Sequence, residues 1–534
     1  MSDWSGPTER IVTSRGHRYR QRVQYRRNPR TGRPQTRVLA HLGPVDPLYP
    51  RAPPPRLERL ETVVPSGQLA LVEGTARRFH VLEVLERVCP SRDGLTSRQV
   101  LALVYNQLNG RKALEEVGPW VDRSALGRWW GLPPEYTSKD TLTGALDTLF
   151  SWDEEDGGLR RLTALQDEAT RAWRSEIGQR AARFFVYYDV CRLRYYGSHC
   201  RWAETGYGPL APGKPHVGVG LVTARGCHFP VLSVPVKGSL HDSKTWEEVT
   251  SGLQGRVHGR LTAIVDRGFL SEDFVVRARA TDMEVLGGCP EHTDEEKVAL
   301  RKWRDEQIER PAQVVPRSTR EGVLYFRGWD VRLFGVRGRA VVTLDPRRRS
   351  RDRGLRDLWL REAGKGGRLR KEAREELGAV VVSSVGRQGW KVDWKEEGRV
   401  RRSDGRFLLF TTDTELSDEE VVEAYFQRDE VEKAFRALQG QTSIKPVQYH
   451  KWNRVDAYLS GVNYLAYLIR AGIRWSLKEA RLHLSVDDVM DLLHDVYEVS
   501  YTQGGQLQRR WGPITKEAGT IIKSLGLRKL IPYD

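Results

Sequence analysis

The chain has 534 residues, more than a single hydrophobic core usually organises, so we expect two to four domains. Its formal net charge of +17 predicts an anionic partner, and no apolar run reaches the ~18 residues of a transmembrane helix. The five cysteines are scattered without a CxxC pair, which argues against a zinc site or a disulfide framework. Because Met1 to Trp4 opens no signal peptide, we expect a cytoplasmic protein without a membrane partner.

Residues 1–65 are predicted to form a basic, β-rich module that binds DNA. Two alternating runs flank the turn sequence NPRTG at positions 28–32, a pattern typical of a β-hairpin. Thirteen arginines lie between Arg10 and Arg59. Arginine bridges phosphates bidentately and stacks on bases, so this cluster favours nucleic acid as the partner. A solvated, arginine-rich surface is the alternative interpretation.

Helical periods dominate residues 66–177, for example in SRQVLALVYNQLNG and TLTGALDTLFSW, and we expect a helical DNA-binding domain there. Between residues 178 and 290, strand-like runs alternate with helical ones, which indicates an α/β layered fold. Two of those runs, RFFVYYDV and LTAIVDRGF, carry Asp189 and Asp266 at or near their ends. Ligands of open α/β sheets gather at such strand ends.

Residues 291–406 interrupt this pattern with a charged stretch that we interpret as a β-rich insertion domain. It contains a second arginine cluster, between Asp345 and Arg361. A buried strand, GRFLLFTTD, then opens the second part of the core at residues 407–475, and residues 476–534 are predicted to be a C-terminal helical region.

The sequence AYFQRDEVEKAFRALQG, residues 424–440, predicts an amphipathic helix. That helix is expected to begin near Ser417, where Glu420 three positions on completes a capping-box pattern. Helical spacing places one set of residues on a single face: Tyr425, Arg428, Glu432, Phe435 and Gln439. A half-buried helix with an i,i+4 ion pair would also account for this face.

Asp189, Asp266 and Glu432 together predict a metal site. An aspartate within an apolar run is costly unless it is paired, protonated or bound to a metal. Carboxylates that converge from two strands and a helix suit Mg²⁺ or Mn²⁺. Two such ions can activate a water or a 3′-hydroxyl and stabilise the leaving oxygen at phosphorus. The predicted chemistry is phosphodiester cleavage and strand transfer.

These residues carry a resemblance to transposases of the DDE class, most closely to the insertion-sequence-four superfamily and its sixteen-thirty-four group. That group has a Tyr-x2-Arg-x3-Glu-x6-Lys motif, matched here by Tyr425, Arg428 and Glu432. The chain also resembles the group in YYDV, in IVDRGFLSED and in IKPVQYHKWNRVDAYLSGVNYLAYLI. The resemblance implies an RNase H-like catalytic core, a mixed sheet flanked by helices, interrupted by the β-rich insertion.

The resemblance also implies a role for each site residue. Asp189, Asp266 and Glu432 would be the catalytic metal ligands, and Tyr425 and Arg428 would contact phosphates near the cut end. Arg267 would bind phosphate or neutralise its neighbour. The motif lysine is replaced by Gln439, which brings no charge to a phosphate. Lys445 could reach the DNA instead.

By resemblance, the activity is cut-and-paste transposition at the ends of an insertion sequence, in the nucleoid of a prokaryotic cell. The implied partners are double-stranded DNA, as terminal inverted repeats and as target, and a second copy of the chain in a synaptic homodimer. Two alternatives stay open. The chain could be a domesticated or inactive DNA-binding derivative, or another RNase H-like nuclease that cleaves branched DNA without joining it.

Overall fold

The structure is a computed structural model. It describes residues 4–14, 17–45, 59–91, 94–150, 155–179, 183–206, 213–246, 260–290, 293–310, 314–316, 322–364, 371–383, 390–428 and 451–533, with the single positions 249, 253, 256 and 449. The chain divides into two compact units. The first comprises residues 1–63 and 498–510, and the second comprises residues 64–497 and 511–534.

The first unit contains a three-stranded antiparallel sheet and most of a second three-stranded sheet. One is formed by β1 (Thr8–Ser14), β2 (His17–Arg27) and β3 (Pro34–Pro44), in that order. The other has the order β17-β16-β4, with β4 at Arg59–Pro65, β16 at Tyr497–Gln503 and β17 at Gln506–Gly512. The predicted hairpin turn is confirmed: Asn28 Oδ1 accepts the backbone N–H of Arg30 at 2.9 Å, and Gly32 takes a φ of +66°.

A nine-stranded sheet forms the centre of the second unit, in the order β10-β11-β12-β15-β9-β8-β5-β6-β7. Its strands are β5 (Arg183–Arg194), β6 (His216–Ala224), β7 (Pro230–Lys237), β8 (Arg260–Val265), β9 (Met283–Gly288), β10 (Val314–Pro316), β11 (Val323–Leu333), β12 (Val336–Leu344) and β15 (Arg406–Thr411). A separate pair is formed by β13 (Val381–Ser383) and β14 (Trp390–Val392).

Five of these strands reproduce the RNase H-like arrangement. The strands β5, β6 and β7 are antiparallel neighbours, whereas β8 and β9 run parallel to β5. Every residue of β6 and of β9 is buried, as expected for strands covered on both faces. The predicted fold class, an α/β core with a mixed sheet flanked by helices, is confirmed.

The α-helices described in the second unit fall into two groups along the chain. Before β5 lie α1 (Gly67–Arg78), α2 (Val81–Val88), α3 (Leu95–Leu108), α4 (Leu114–Arg123), α5 (Ala125–Trp130), α6 (Lys139–Leu149) and α7 (Glu155–Glu176). After β8 come α8 (Glu272–Ala280), α9 (Asp294–Leu300), α10 (Asp305–Ile308), α11 (Pro346–Gly364), α12 (Lys371–Leu377), α13 (Trp394–Val400), α14 (Asp418–Phe426), α15 (Trp452–Asp456), α16 (Asn463–Glu479), α17 (Val486–His494) and α18 (Lys516–Ser524). A π-helical segment, Ala457–Val462, joins α15 to α16.

The stretch 291–406 differs in form from a free-standing β domain. Its strands β11 and β12 pair with each other and then with β15, so they lengthen the central sheet. Its helix α11 follows β12 directly. The region from residue 476 likewise contains a hairpin, β16–β17, beside its helices. The alternating sequence YEVSYTQ of β16 explains this strand, because period two is the pattern of a strand and not of a helix.

Among the residues described, no helix combines the length with the apolar composition that crossing a membrane requires.

Candidate active site

Asp189, within β5, and Asp266, directly after β8, occupy equivalent positions along two adjacent parallel strands. The pairing of β5 with β8 ends with Tyr187 opposite Ile264, and each aspartate lies two residues further on. Side chains two residues apart on a strand share a face, and neighbouring strands lie about 4.8 Å apart. The two carboxylates therefore project from the same face of the sheet, one strand spacing from each other.

The sequence predicts Asp189 at or near the end of its strand, but in the structure it lies within β5, which continues to Arg194. β5 continues to Arg194 because β6 pairs with it along its whole second half, from Val190 opposite Gly220 to Arg194 opposite His216. The parallel neighbour β8 stops at Val265, so the side of Asp189 that faces β8 is left without a strand. The carboxylate is half-buried, and its Oδ1 accepts the backbone N–H of Val190 at 2.8 Å.

Asp266 directly follows β8 and begins a short 3₁₀ turn, Arg267–Phe269. Its Oδ1 accepts the backbone N–H of Arg267 at 2.7 Å, which orients the carboxylate. The same oxygen lies 3.2 Å from the guanidinium of Arg428. The Asp266 side chain is 46% exposed, whereas that of Arg428 is 11% exposed. An open carboxylate is thus held by a largely buried cation.

The helix α14 brings Arg428 to this position. Ser417 and Glu420 form the predicted capping box, with both reciprocal hydrogen bonds present. Near the other end of the helix, the Tyr187 hydroxyl donates to the carbonyl of Ala424 at 3.1 Å. Because Tyr187 and Asp189 share a face of β5, α14 lies on the face from which the two aspartates project.

The described helix α14 ends at Phe426, and residues 429–440 of the predicted helix lie outside the described residues. The backbone N–H of Arg428 donates to the carbonyl of Tyr425 at 3.1 Å, a bond over three residues that tightens the chain into a turn. Arg428 therefore reaches Asp266 from a turn and not from a helical face. Glu432, Gln439 and Lys445 lie outside the described residues.

A pocket of about 600 Å³ opens beside Asp266. Three arginines, Arg267, Arg348 and Arg428, line it together with the carboxylate residue Asp345, and its aromatic wall consists of Phe407, Tyr425 and Phe426. The Arg267 guanidinium stacks 4.3 Å above the Phe407 ring. Burial lowers the pKa of Arg267 from its ordinary value, yet a guanidinium stays charged at neutral pH. Cations on aromatic walls suit phosphate groups joined to planar bases.

Tyr425 is buried against the sheet, with its ring 5.3 Å from that of Phe407. Gly288 makes room for this pair. A Cβ at position 288 would come within 2.6 Å of the Phe407 ring and 2.8 Å of the Tyr425 hydroxyl, so a larger residue would displace one of them.

Arg348 was not singled out by the sequence, although it belongs to the arginine cluster of α11. The structure divides that cluster. Arg356 donates twice to the buried carboxylate of Asp404, and Arg349 and Arg353 pair with Asp305 at 3.0 and 3.2 Å. The side chains that stay exposed are those of Arg347, Arg348, Arg351 and Arg361. The inward arginines hold the helix in place. The exposed ones lie on its solvent side, where Arg348 and Arg351 are each 3.6 Å from the carboxylate of Asp352.

Other buried acids of the core have structural partners. Asp413, fully buried, lies 3.4 Å from both Arg183 and Arg260 and accepts a hydrogen bond from Thr262. These arginines begin β5 and β8, so the cluster lies at the opposite end of the strands from the two site aspartates. An acid at a strand end can thus have a purely structural role. Its spacing in the sequence does not distinguish it from a catalytic acid.

The tryptophans of the insertion have different environments. Trp329 packs edge-on against Trp303, with ring centroids 6.4 Å apart, and Trp390 is half-buried. Trp394, at the start of α13, is 69% exposed.

No group of three or more metal-binding side chains occurs among the described residues, a set that excludes Glu432. The pair that is described fits a hard divalent cation. Two carboxylates share a face one strand apart, and Asp266 already attracts a cationic group in Arg428.

Residues 210–469 match the family model described as "Transposase DDE domain". The match spans just under half of the 534 residues, includes Asp266 and Glu432, and begins after Asp189. It supports a DDE transposase. No curated protein matches the chain.

Among solved structures, the chain is similar to a piggyBac transposase in a synaptic complex with hairpin DNA. The identity is 12%, the TM-score is 0.33, and the similarity covers 80% of this chain and 76% of that one. A likeness at this level carries no argument about function.

Proposed function

We propose that this protein is a DDE transposase that cleaves DNA at the ends of an insertion sequence and joins the cut strand to a target. The observation that carries the proposal is the equal register of Asp189 and Asp266 on parallel strands, with Arg428 3.2 Å from Asp266 on the same face. The match to the transposase DDE domain supports the same assignment.

In this proposal Asp189, Asp266 and Glu432 hold two Mg²⁺ or Mn²⁺ ions. Glu432 follows Arg428 by four residues, and four residues of chain span at most about 14 Å. Glu432 is therefore within reach of the two aspartates. When bound, such ions lower the pKa of an attacking water and stabilise the charge that develops at phosphorus.

The chain's own residues position the DNA. Arg428 and Arg267 flank the carboxylate of Asp266 and would bind non-bridging oxygens of the phosphate to be cut. Arg348 would hold a neighbouring phosphate from the insertion side, and the Tyr425 ring forms part of the wall behind it. Gln439 is assigned to the DNA through its position in the motif, and Lys445 because it follows the motif closely enough in the sequence to reach the DNA.

The proposed partners follow from this chemistry. They are double-stranded DNA, as terminal inverted repeats and as target, and a second copy of the chain in a synaptic complex. The modules assigned to DNA binding are residues 1–65 and 66–177, and cut-and-paste movement is the proposed outcome of the reaction.

A cleavage assay on the natural flanks tests the proposal. The substrate is a labelled duplex that carries the DNA bordering the gene on both sides, incubated with the intact chain and Mg²⁺ or Mn²⁺. We expect strand cuts at a fixed position on each side, and joining of the 3′-hydroxyl end to a plasmid. Asp266→Asn should abolish both products, whereas the control Asp273→Asn, at an exposed carboxylate of α8, should retain them.

Cutting that persists in Asp266→Asn would overturn the assignment of the site. Cutting without any joining would identify a nuclease in place of a transposase.

A further inference from the structure

The register of the sheet β1–β3 separates its side chains into two unlike faces. The facing pairs Ile11–Arg20, Arg22–Ala40 and Gln24–Arg37 place their side chains on one face. Because side chains alternate along a strand, the even-numbered residues of β2 all belong to it. We call this surface the arginine face; its cations are Arg18, Arg20, Arg22, Arg26 and Arg37.

The arginine face is open and strongly basic. All of its arginines are exposed except Arg26, which stacks 4.5 Å from the Trp4 ring and donates to Gln35 at 2.8 Å. In the described part of the sheet, the acid on this face is Glu9, 3.7 Å from Arg22, with both side chains about half exposed. Five arginines against one glutamate leave a formal charge of +4.

The opposite face has a different character. Among the described side chains of this sheet, Val23 and Gln21 are buried, and both lie on it. Gln21 bonds to Arg10 at 3.1 Å and to His41 at 3.1 Å, which leaves Arg27, at the end of β2, as the exposed arginine described on this face. The charge available to a partner is therefore concentrated on the arginine face.

We propose that the arginine face binds the sugar–phosphate backbone of duplex DNA without reading its sequence. Arg18, Arg20 and Arg22 follow one another at about 6.6–6.8 Å, two residues of an extended strand, and so form a row of cations along β2. A row of guanidinium groups suits the regular phosphates of a nucleic acid strand better than the irregular carboxylates of a protein. This inference rests on DNA as the partner in the proposed function.

The test compares two triple variants of the intact chain that remove the same charge. One is Arg18→Gln/Arg20→Gln/Arg22→Gln. The matched control is Arg27→Gln/Arg30→Gln/Arg33→Gln, which alters exposed arginines at the end of β2 and in the turn that follows. Binding of two mixed-sequence 30-base-pair duplexes is measured without divalent metal between 50 and 200 mM salt, and circular dichroism checks folding.

Each phosphate contact contributes about 0.9 to the slope of log affinity against log salt on B-DNA. For the variant at Arg18, Arg20 and Arg22, the magnitude of this slope should be smaller than in the wild type by about 2.7 on both duplexes. The control variant should reduce the slope by less. Between 50 and 200 mM salt, the wild type should lose about 40-fold more affinity than the variant at Arg18, Arg20 and Arg22.

Equal slopes for the two variants would overturn the inference and leave the proposed function untouched. A loss on one duplex only would show sequence reading and would also overturn it, as would a larger loss on duplex RNA than on DNA. If the slope is reduced as expected in the variant at Arg18, Arg20 and Arg22 while the wild type cuts no flanking DNA, DNA binding by the arginine face is supported and the proposed function is refuted.

Discussion

Replacing Arg428 by glutamine should change metal binding and DNA cleavage in opposite directions, because Arg428 pairs with Asp266 and is also proposed to bind the phosphate. The guanidinium lies 3.2 Å from Asp266, where unit charges attract by about 5 kcal/mol at a dielectric constant of 20 and about 1.3 kcal/mol in water. The Asp266 side chain is 46% exposed, so the net contribution is at the level of exposed pairs, about 0.5–1 kcal/mol. A divalent cation must displace this pairing.

Without Arg428, the metal binds to a carboxylate that has lost its competing cation. We expect Arg428→Gln to tighten Mn²⁺ binding two- to fivefold, measured by calorimetry on the intact chain without DNA. Cleavage of flanking DNA should move in the opposite direction and fall about ten- to a hundredfold, because a charge-assisted hydrogen bond to phosphate is lost.

Arg277→Gln is the matched control, since Arg277 forms an exposed ion pair with Asp273 on α8 at 2.8 Å. Arg277→Gln should leave both the Mn²⁺ affinity and the cleavage of flanking DNA unchanged. Weaker Mn²⁺ binding in Arg428→Gln, with an unchanged melting temperature, would refute the idea that the arginine competes with the cation for Asp266.

Three further outcomes follow from the same contacts. Asp189→Asn should lower cleavage by about a thousandfold or more through loss of a metal ligand, while duplex binding in a gel-shift assay persists. Burial acts to raise the pKa of Asp147, but the bidentate Arg454 at 2.7 and 2.8 Å outweighs it and holds the pKa below its ordinary value. That stabilisation is fully present above the ordinary carboxyl pKa of about 4 and is lost as the pH falls through the lowered pKa of the folded state, so the melting temperatures of Asp147→Asn and wild type should differ at pH 7 and converge on acidification. In urea unfolding, Arg356→Gln should cost about 3 kcal/mol because it leaves the buried carboxylate of Asp404 with only the more distant Arg353, at 3.7 Å. Arg351→Gln, at an exposed position of the same helix, should change stability by less than about 0.5 kcal/mol.

Local signals in the sequence were sufficient for several elements. The capping box at Ser417, the hairpin around Gly32 and the apolar strand before Asp266 depend on residues within a few positions of one another. Backbone conformation at such places is decided by nearby side chains and by hydrogen bonds that close short loops. Hydrophobic periodicity predicted the α/β class, because the spacing of apolar residues differs between strands and helices.

The sequence alone determined that this protein contains an α/β core with two aspartates on apolar strands and a strongly basic surface. Only the tertiary structure decided that β5 and β8 are parallel neighbours, so that Asp189 and Asp266 stand side by side. It also decided that Arg356 turns inward to Asp404 while Arg351 stays in solvent, and that α14 stops before Arg428. The physical reason is range: local periodicity specifies an element, whereas pairing of distant strands and partnering of charges depend on contacts between residues far apart in the chain.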